Sequence, residues 1–272
     1  MTERRLGCYV YCVIRAGEQP PLDDLVGVDA AHGIEVRTHR ELVAVTSQVR
    51  LEEFGSDALR RNLEDLAWLE RTALAHNAVL ARMRACEAVV PFRTCTIFDD
   101  QTRVAEMLER RQAYFRAALE RLRRRDEWSV KMLADRQRLE AATRERVPAP
   151  LAARASVEKP ETPGRAFFAR KKLDRSIADE AATVAQTAAR QAHDQLGTHA
   201  AAARLLPPQD PRLSGRSGDM VLNGAYLVDR SAAAAFETTI DQLRRDECPE
   251  GVELVLSGPF APYNFVDAPE EA

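Results

Sequence analysis

The sequence is poor in aromatic residues and has no long apolar run. Aromatic residues make up 6% of the 272 residues. No apolar stretch approaches the roughly 20 residues that a membrane-spanning helix needs. The basic N-terminus is not followed by a secretory cleavage pattern. These absences argue against an integral membrane protein and a secreted protein, so we predict a cytoplasmic protein with no membrane partner.

Cysteine is also scarce, and the cysteines do not form the pattern that a disulfide framework requires. The five are Cys8, Cys12, Cys86, Cys95 and Cys248. Cys8 and Cys12 lie on one predicted strand, where four residues span about 13 Å, whereas the Cα atoms of a disulfide usually lie within about 7 Å. Because these two cannot pair and the total is odd, we predict reduced thiols in a reducing compartment.

The motifs of common catalytic and metal sites are missing. The chain has no CxxC, HExxH or GxSxG pattern, and the GRSGD stretch at 215–219 lacks both the glycine spacing and the lysine of a phosphate-binding loop. We therefore predict no enzyme, no catalytic residue, no cofactor and no metal. An unrecognised active site would need a polar pocket with perturbed ionisable groups, and the neighbourhood of His76 and Arg93 is the candidate position.

His76 and Arg93 each have a structural and a functional interpretation. His76 lies in the apolar stripe of a predicted helix, a position more typical of a hydrogen-bonded core histidine than of a site. Arg93 follows Pro91 and Phe92 at the end of a predicted strand. It is either half of a buried ion pair or an anchor for a partner protein, and we keep it as a candidate partner-binding residue.

Charge is nearly balanced over the whole chain. The formal net charge is −3 and the isoelectric point is about 6.0, so no global charge favours nucleic acid or an anionic membrane. The arginine-rich segment 106–127 places acidic residues three or four positions from arginines, as in Glu106–Arg110 and Glu120–Arg124. This pattern favours a solvated, salt-bridged helix. Nucleic-acid binding by this basic helix is the alternative function.

A second basic patch, FFARKKLDR at 167–175, follows a proline-rich segment. Arg170, Lys171 and Lys172 are candidate contacts for an acidic partner. The alternative is an ordinary charged helix start, although cations are unfavourable near the positive N-terminal end of a helix.

Hydrophobic periodicity predicts alternating strands and helices. Ser56 is the predicted N-cap of one long helix with an inward apolar stripe, and Asp99 or Asp100 is the predicted cap of the next. The inward stripe of the first helix is Leu59, Leu63, Leu66, Leu69, Ala73, His76, Leu80 and Met83. The predicted strands are 8–14, 34–39, 42–49, 88–92, 127–133, 203–207, 220–229 and 252–257. The predicted helices are a short one after Pro20, then 56–85, one reaching about 125, one ending near 146, 165–199 and 231–246.

In each half these elements follow the order β-α-β-β-α-β, which is the ferredoxin-like pattern. We therefore predict an α+β protein of two ferredoxin-like modules, each an antiparallel sheet with helices on one face. The predicted domains are 1–124 and 125–272. The second contains a proline-rich loop at about 147–164, whose composition is also compatible with disorder. A boundary in that loop would separate the strand 127–133 from its sheet.

The C-terminal stretch SGPFAPYNFVD contains two prolines and three aromatic residues. Pro259 should end the last strand. Phe260, Tyr263 and Phe265 should fold back over the open end of the second module's core. Phe260 and Tyr263 are also candidate partner-binding residues.

Several segments together resemble those of the gas vesicle protein family GvpL/GvpF. In chain order they are CYVYCVI, DLAWLERTALAHNAVL, AVVPFRTCTIF, DEWSVKML, PGRAFFARKKLD, VLNGAYLVDR and ELVLSGPFAPYNFV. The chain departs from the family where the usual PxRFGT stretch reads PFRTCT, at 91–96. A glycine often serves a positive-φ turn, and Cys95 would fit such a turn poorly.

The resemblance implies a two-domain α/β fold and a non-enzymatic accessory protein for assembling gas vesicles. It also implies binding to the hydrophobic major shell protein and to other accessory proteins, as a chaperone-like factor or a minor structural component. The implied location is the cytoplasm and the gas vesicle, with no nucleic-acid partner.

Overall fold

The computed structural model describes residues 5–146, 163–209 and 218–266, which form two compact units. The first contains the described residues up to Glu127 together with Pro259–Val266, and the second runs from Trp128 to Gly258. The predicted mixture of helices with antiparallel sheets is confirmed. The domain boundary at residue 125 stays a prediction, and most of the proline-rich loop, 147–162, lies outside the described residues.

The described residues contain nine strands and eight α-helices. The strands are β1 (Leu6–Arg15), β2 (Ile34–His39), β3 (Leu42–Arg50), β4 (Val90–Pro91), β5 (Ile97–Phe98), β6 (Arg125–Ala134), β7 (Ala202–Leu205), β8 (Asp219–Asp229) and β9 (Val252–Phe260). The helices are α1 (Leu51–Phe54), α2 (Ser56–Asn62), α3 (Leu66–Met83), α4 (Gln101–Arg110), α5 (Gln112–Arg121), α6 (Arg136–Arg146), α7 (Pro163–Gly197) and α8 (Ala233–Gln242).

The first sheet has the strand order β2-β3-β1-β4, and β5 pairs with β1. β1 runs antiparallel to β3, from Leu6 opposite Arg50 to Arg15 opposite Leu42, with a register shift between Val10 and Cys12. Residues 7–14 of β1 are all buried. Because neighbouring residues of a strand point to opposite faces, both faces of β1 are covered.

Helices contact this sheet from both sides, so the prediction of helices on one face is wrong for the first half. Tyr9 and Tyr11 of β1 pack in one core cluster with residues of α1 and α3, including Phe54. Helices α4 and α5 also contact the sheet. Their buried side chains, such as Leu108 and Phe115, do not belong to that cluster.

The single predicted helix 56–85 is interrupted. The carboxylate of Asp65 accepts hydrogen bonds from two backbone N–H groups of the following turn, at 2.9 and 3.2 Å, and so caps a new helix, α3. Ser56 is a helical residue instead, because Gly55 occupies the N-cap position of α2. The break turns Leu66 outward, with 79% of it exposed, although the periodic stripe placed it inside.

Two further elements of the first half differ from the prediction. The segment between β1 and β2 contains an isolated bridge between Val26 and Gly33, and no helix is described there. The predicted loop after residue 92 contains β5, and the strand predicted at 88–92 forms a ladder at Val90–Pro91 alone. The first half therefore lacks the first helix of a complete β-α-β-β-α-β unit.

The second sheet has the order β7-β8-β6-β9, and β7 pairs antiparallel with β8. Helices α7 and α8 each contribute part of their apolar residues to the core beside this sheet. The inner face of α7 is made of small and apolar residues, since Ile177, Ala181, Ala188, Ala192 and Leu196 are buried. Small alanine side chains let this long helix pack closely.

The C-terminal aromatic residues belong to the first unit, so the prediction that they cover the second module's core is wrong. Tyr263 packs against the cluster that contains Tyr9. Asn264 donates from its backbone N and its Nδ2 to the buried carboxylate of Glu127, at 2.8 and 2.6 Å. Arg121 donates to the carbonyl oxygen of Phe265 at 2.8 Å. The position of the C-terminal segment is thus set by hydrogen bonds to residues distant in sequence, and sequence periodicity does not reveal such partners.

Arg124 offers a test of backbone strain, because it precedes β6 with a φ of 55°. A residue with a side chain is strained in this left-handed region, and glycine is not. The Arg124 side chain is exposed, so its removal costs little burial. We expect Arg124→Gly to raise the free energy of unfolding by about 0.5–1 kcal/mol in urea denaturation.

The adjacent Arg123 is the matched control for this substitution. It is not among the residues with positive φ, so Arg123→Gly should lower stability by about 0.5–1 kcal/mol. Equal losses at both positions would show that Arg124 is not strained.

Candidate partner-binding surfaces

A buried polar chain connects β1, α3 and the C-terminal segment. Tyr9 Oη lies 2.9 Å from His76 Nδ1, and His76 Nε2 lies 2.8 Å from Tyr263 Oη. The backbone N–H of Cys95 donates to Tyr9 Oη at 2.8 Å. All hydrogen-bonding atoms of His76 are satisfied if Tyr9 donates to Nδ1 and Nε2–H donates to Tyr263.

The side chains of Tyr9, His76 and Tyr263 are all uncharged around neutral pH. His76 is fully buried, and burial lowers its pKa to about 4. Burial also raises the pKa of Tyr9 and of Tyr263. The surroundings of His76 therefore match those of a hydrogen-bonded core histidine, which was the structural alternative from the sequence. Tyr263 and Phe260 are the two aromatic residues predicted as partner contacts. The Tyr263 hydroxyl is hydrogen-bonded to His76 within the first unit, and Phe260 is 46% exposed.

The PFRTCT loop keeps a left-handed residue without using glycine. Cys95 has a φ of 67°. Its N–H is held by Tyr9, and the carbonyl of Arg93 accepts hydrogen bonds from both the N–H and the Oγ1 of Thr96, at 3.2 and 2.8 Å. These contacts can hold a strained conformation in place. The Arg93 side chain is exposed, so a buried ion pair is ruled out, and its role as a partner anchor stays a prediction.

The arginine-rich segment is salt-bridged, but the predicted pairs along the helix do not form. Arg116 contacts Glu41 at 2.5 Å, and Arg123 contacts Glu87 at 2.6 Å. Hydrogen bonds from Arg116 lower the pKa of Glu41 to about 2. Glu120 pairs with Arg15 instead of Arg124. Long-range acidic partners therefore neutralise much of this basic segment.

The start of α7 carries exposed cations together with exposed aromatic rings. Arg170, Lys171 and Lys172 are all exposed. Phe167 and Phe168 are 64% and 71% exposed. We call the set Phe167, Phe168, Lys171, Lys172 and Arg175 the basic–aromatic face. Arg93 and Tyr263 belong to the other compact unit.

The edge strand β7 is a further surface, which sequence reasoning did not single out. All four of its residues are exposed. The N–H of Leu206 donates to the carbonyl oxygen of Asn223 in β8 at 2.7 Å. In an antiparallel pair, the backbone N–H and C=O groups of successive residues point alternately toward the partner strand and away from it. Arg204 and Ala202 therefore face β8 with their backbone groups, while the N–H groups of Ala203 and Leu205 point away from the sheet.

The part of the chain that the structure describes contains neither a candidate metal site nor a candidate membrane-spanning helix. Its histidine, cysteine, aspartate and glutamate residues form no group of three that could hold a metal ion. None of the helices within residues 5–146, 163–209 and 218–266 combines the length and apolar character needed to cross a bilayer.

The family model for the gas vesicle synthesis protein GvpL/GvpF matches residues 7–267. The chain belongs to the GvpL/GvpF family. The resemblance seen in the sequence is thereby confirmed over nearly its whole length.

Two curated members of this family from Streptomyces sp. (strain CB03234) are similar to the chain. Gas vesicle protein L is 37% identical over 273 residues, covering 97% of this chain and 94% of that protein. Gas vesicle protein F is 27% identical over 270 residues, covering 96% and 100%.

Two crystal structures of GvpF show the same fold. The protein from Anabaena sp. PCC7120 has a TM-score of 0.66 at 18% identity, covering 98% of both chains. The protein from Microcystis aeruginosa has a TM-score of 0.64 at 17% identity, covering 95% of this chain and 98% of that one. The predicted combination of helices and antiparallel sheets is therefore confirmed, and the fold is similar to that of GvpF.

Proposed function

We propose that this GvpL/GvpF-family chain is a non-enzymatic accessory protein for gas vesicle assembly in the cytoplasm. In this proposal it binds the hydrophobic major shell protein and other accessory proteins, as a chaperone-like factor or a minor structural component. Family membership supports the gas vesicle role. The structural observation that supports binding is the edge of β7, which pairs with no strand other than β8 in the part of the chain that the structure describes.

An open strand edge suits a client that assembles through apolar β surfaces. Such a client must be kept soluble before it is placed, and an extended segment of it can add to a sheet edge through backbone hydrogen bonds. The outward N–H groups of Ala203 and Leu205 provide the donors, and Leu205, also exposed, provides an apolar contact. All four residues of β7 are exposed, so we take this edge as the candidate.

Proline at position 203 tests this mechanism. Ala203→Pro removes an outward N–H group without removing a bond to β8, because edge strands tolerate proline where the N–H faces solvent. We expect co-purification of the major shell protein with the Ala203→Pro variant to fall at least about tenfold. The measurement is the amount of tagged accessory protein and shell protein recovered together from an assembling vesicle system.

Ala203→Thr is the matched control, because threonine keeps the N–H group and suits a strand. It should retain the shell protein at close to the original level. Full retention by a folded Ala203→Pro variant would contradict capture at this edge.

We also infer that the two halves are related ferredoxin-like modules. Within each half the strand order is second, third, first and fourth, the order expected of a β-α-β-β-α-β sheet. The second half has a helix at both expected positions, and the first half lacks the first one. An experimental structure with β6 parallel to β8 or β9 would contradict this relationship.

A further inference from the structure

The basic–aromatic face lies on the solvent side of the first three turns of α7. At 100° per residue, Phe167, Phe168, Lys171 and Arg175 lie within an arc of about 100°. The half-buried residues of these turns, Ala166, Ala169 and Leu173, lie on the other side of the helix. The five residues of the face extend about 12 Å along the helix axis, which is about two turns of an opposing helix.

The rings on this face are in contact with each other and with water. The centroids of Phe167 and Phe168 are 5.8 Å apart, and the rings meet edge to face at 76°. Two adjacent phenylalanines with most of their surface exposed form an apolar patch that the described residues leave uncovered. Such a patch next to polar residues is typical of an interaction site.

The cations on this face lack acidic partners within the described residues. Lys171, Lys172 and Arg175 form no ion pair there, whereas the one acidic residue of the segment, Asp174, pairs with Arg144 at 2.9 Å. Lys171 and Arg175 are also four residues apart, a spacing at which like charges repel. Within the described residues, these cations therefore gain no stabilising ion pair from this arrangement.

The charge of the segment contrasts with that of the remaining chain. Residues 163–175 contain five lysines and arginines and one aspartate, a net charge of +4. Because the whole chain carries −3, the remainder carries −7. A net acidic remainder gives no long-range attraction for nucleic acids or anionic membranes, whereas a short acidic protein segment can contact the face alone.

We propose that the basic–aromatic face is a docking surface for an acidic segment of a partner protein that also carries apolar side chains. An amphipathic helix with glutamates beside leucines fits, because its carboxylates can pair with Lys171, Lys172 and Arg175. Its leucines can bury the rings of Phe167 and Phe168. This surface is separate from the β7 edge and does not depend on the shell-protein proposal.

A peptide-binding measurement tests the chemistry. The probes are a labelled helical peptide of glutamates and leucines, the same peptide with glutamine for glutamate, a single-stranded oligothymidylate, and phosphatidylcholine–phosphatidylserine vesicles. The full chain should bind the acidic peptide at least about tenfold more tightly than the glutamine peptide. Tighter binding of the oligonucleotide or the vesicles through the same residues would overturn the assignment to a protein partner.

Two double variants locate the binding. Lys171→Glu with Lys172→Glu, and Phe167→Ser with Phe168→Ser, should each weaken binding of the acidic peptide at least about tenfold. The control is Arg60→Glu with Arg61→Glu, which reverses two adjacent exposed cations on α2 and should change binding less than about twofold. The proposal fails if the two double variants bind the peptide like the control.

A photo-crosslinking residue in place of Phe168 then tests the surface in an assembling vesicle system. We expect crosslinked peptides from a partner protein that carry net negative charge, and their loss with Lys171→Glu and Lys172→Glu. Crosslinks to neutral or basic segments, or no crosslinks, would overturn the proposal. The Ala203→Pro variant should keep these crosslinks, so failure of the β7 mechanism and failure of this surface are distinguishable.

Discussion

Replacing Phe265 by alanine should lower the free energy of unfolding of the first unit by about 3–5 kcal/mol. Phe265 is 4% exposed, so the substitution removes a buried ring and leaves a cavity. Trp68 lies in the core of the first unit and Trp128 in that of the second. Urea denaturation followed by fluorescence, in a Trp128→Phe background, therefore reports on the first unit.

Phe260 is the matched control because it lies in the same segment but is 46% exposed. Phe260→Ala should cost less than about 1 kcal/mol. Equal losses for the two variants would show that the tail is not packed as described. A Phe265→Ala variant that keeps its stability but loses the shell protein would make the tail an interface instead.

The sequence predicted those elements whose pattern is local. The alternating residues of the strand that became β6, and the evenly spaced small apolar residues of α7, each identify an element within one stretch of chain. The mixed fold followed from the order of these elements. Family membership came from several segments together, since each is short and unspecific when taken alone.

The sequence did not predict features that depend on competition between local signals or on distant partners. The stripe through Leu63 and Leu66 continues the helical period, but Asp65 caps a new helix and interrupts it. The destination of the tail depends on Glu127 and His76, which are far from it in sequence. Helical cover on both faces of β1 likewise depends on the packing of α4 and α5.

The candidate surfaces were predictable in composition and not in geometry. Arg170, Lys171 and Lys172 were visible as a cluster, but their lack of acidic partners among the described residues depends on which distant carboxylates approach them. Exposure of the adjacent rings of Phe167 and Phe168 depends on how α7 packs. The outward direction of the Ala203 N–H follows from the pairing register with β8, which no spacing rule gives.

Acidification from pH 7 to pH 4.5 should destabilise the first unit by about 2–3 kcal/mol through His76. The pKa of this histidine is about 4 in the folded chain and about 6.5 in the unfolded chain. The unfolded state therefore binds a proton first as the pH falls below 6.5. The neutral ring contributes its full stability above that pH, and the contribution is lost progressively down to about pH 4.

Urea denaturation at several pH values between 7 and 4.5, with Trp68 as the probe, measures this loss. His76→Gln is the control, because glutamine can hydrogen-bond to both tyrosines and does not titrate. Its stability should be lower at pH 7 and should fall less between pH 7 and pH 4.5. Asp29, whose pKa is lowered by hydrogen bonds from Arg50 despite its burial, loses its contribution below about pH 4, outside this range. The same decline in both proteins would show that His76 is not the group responsible.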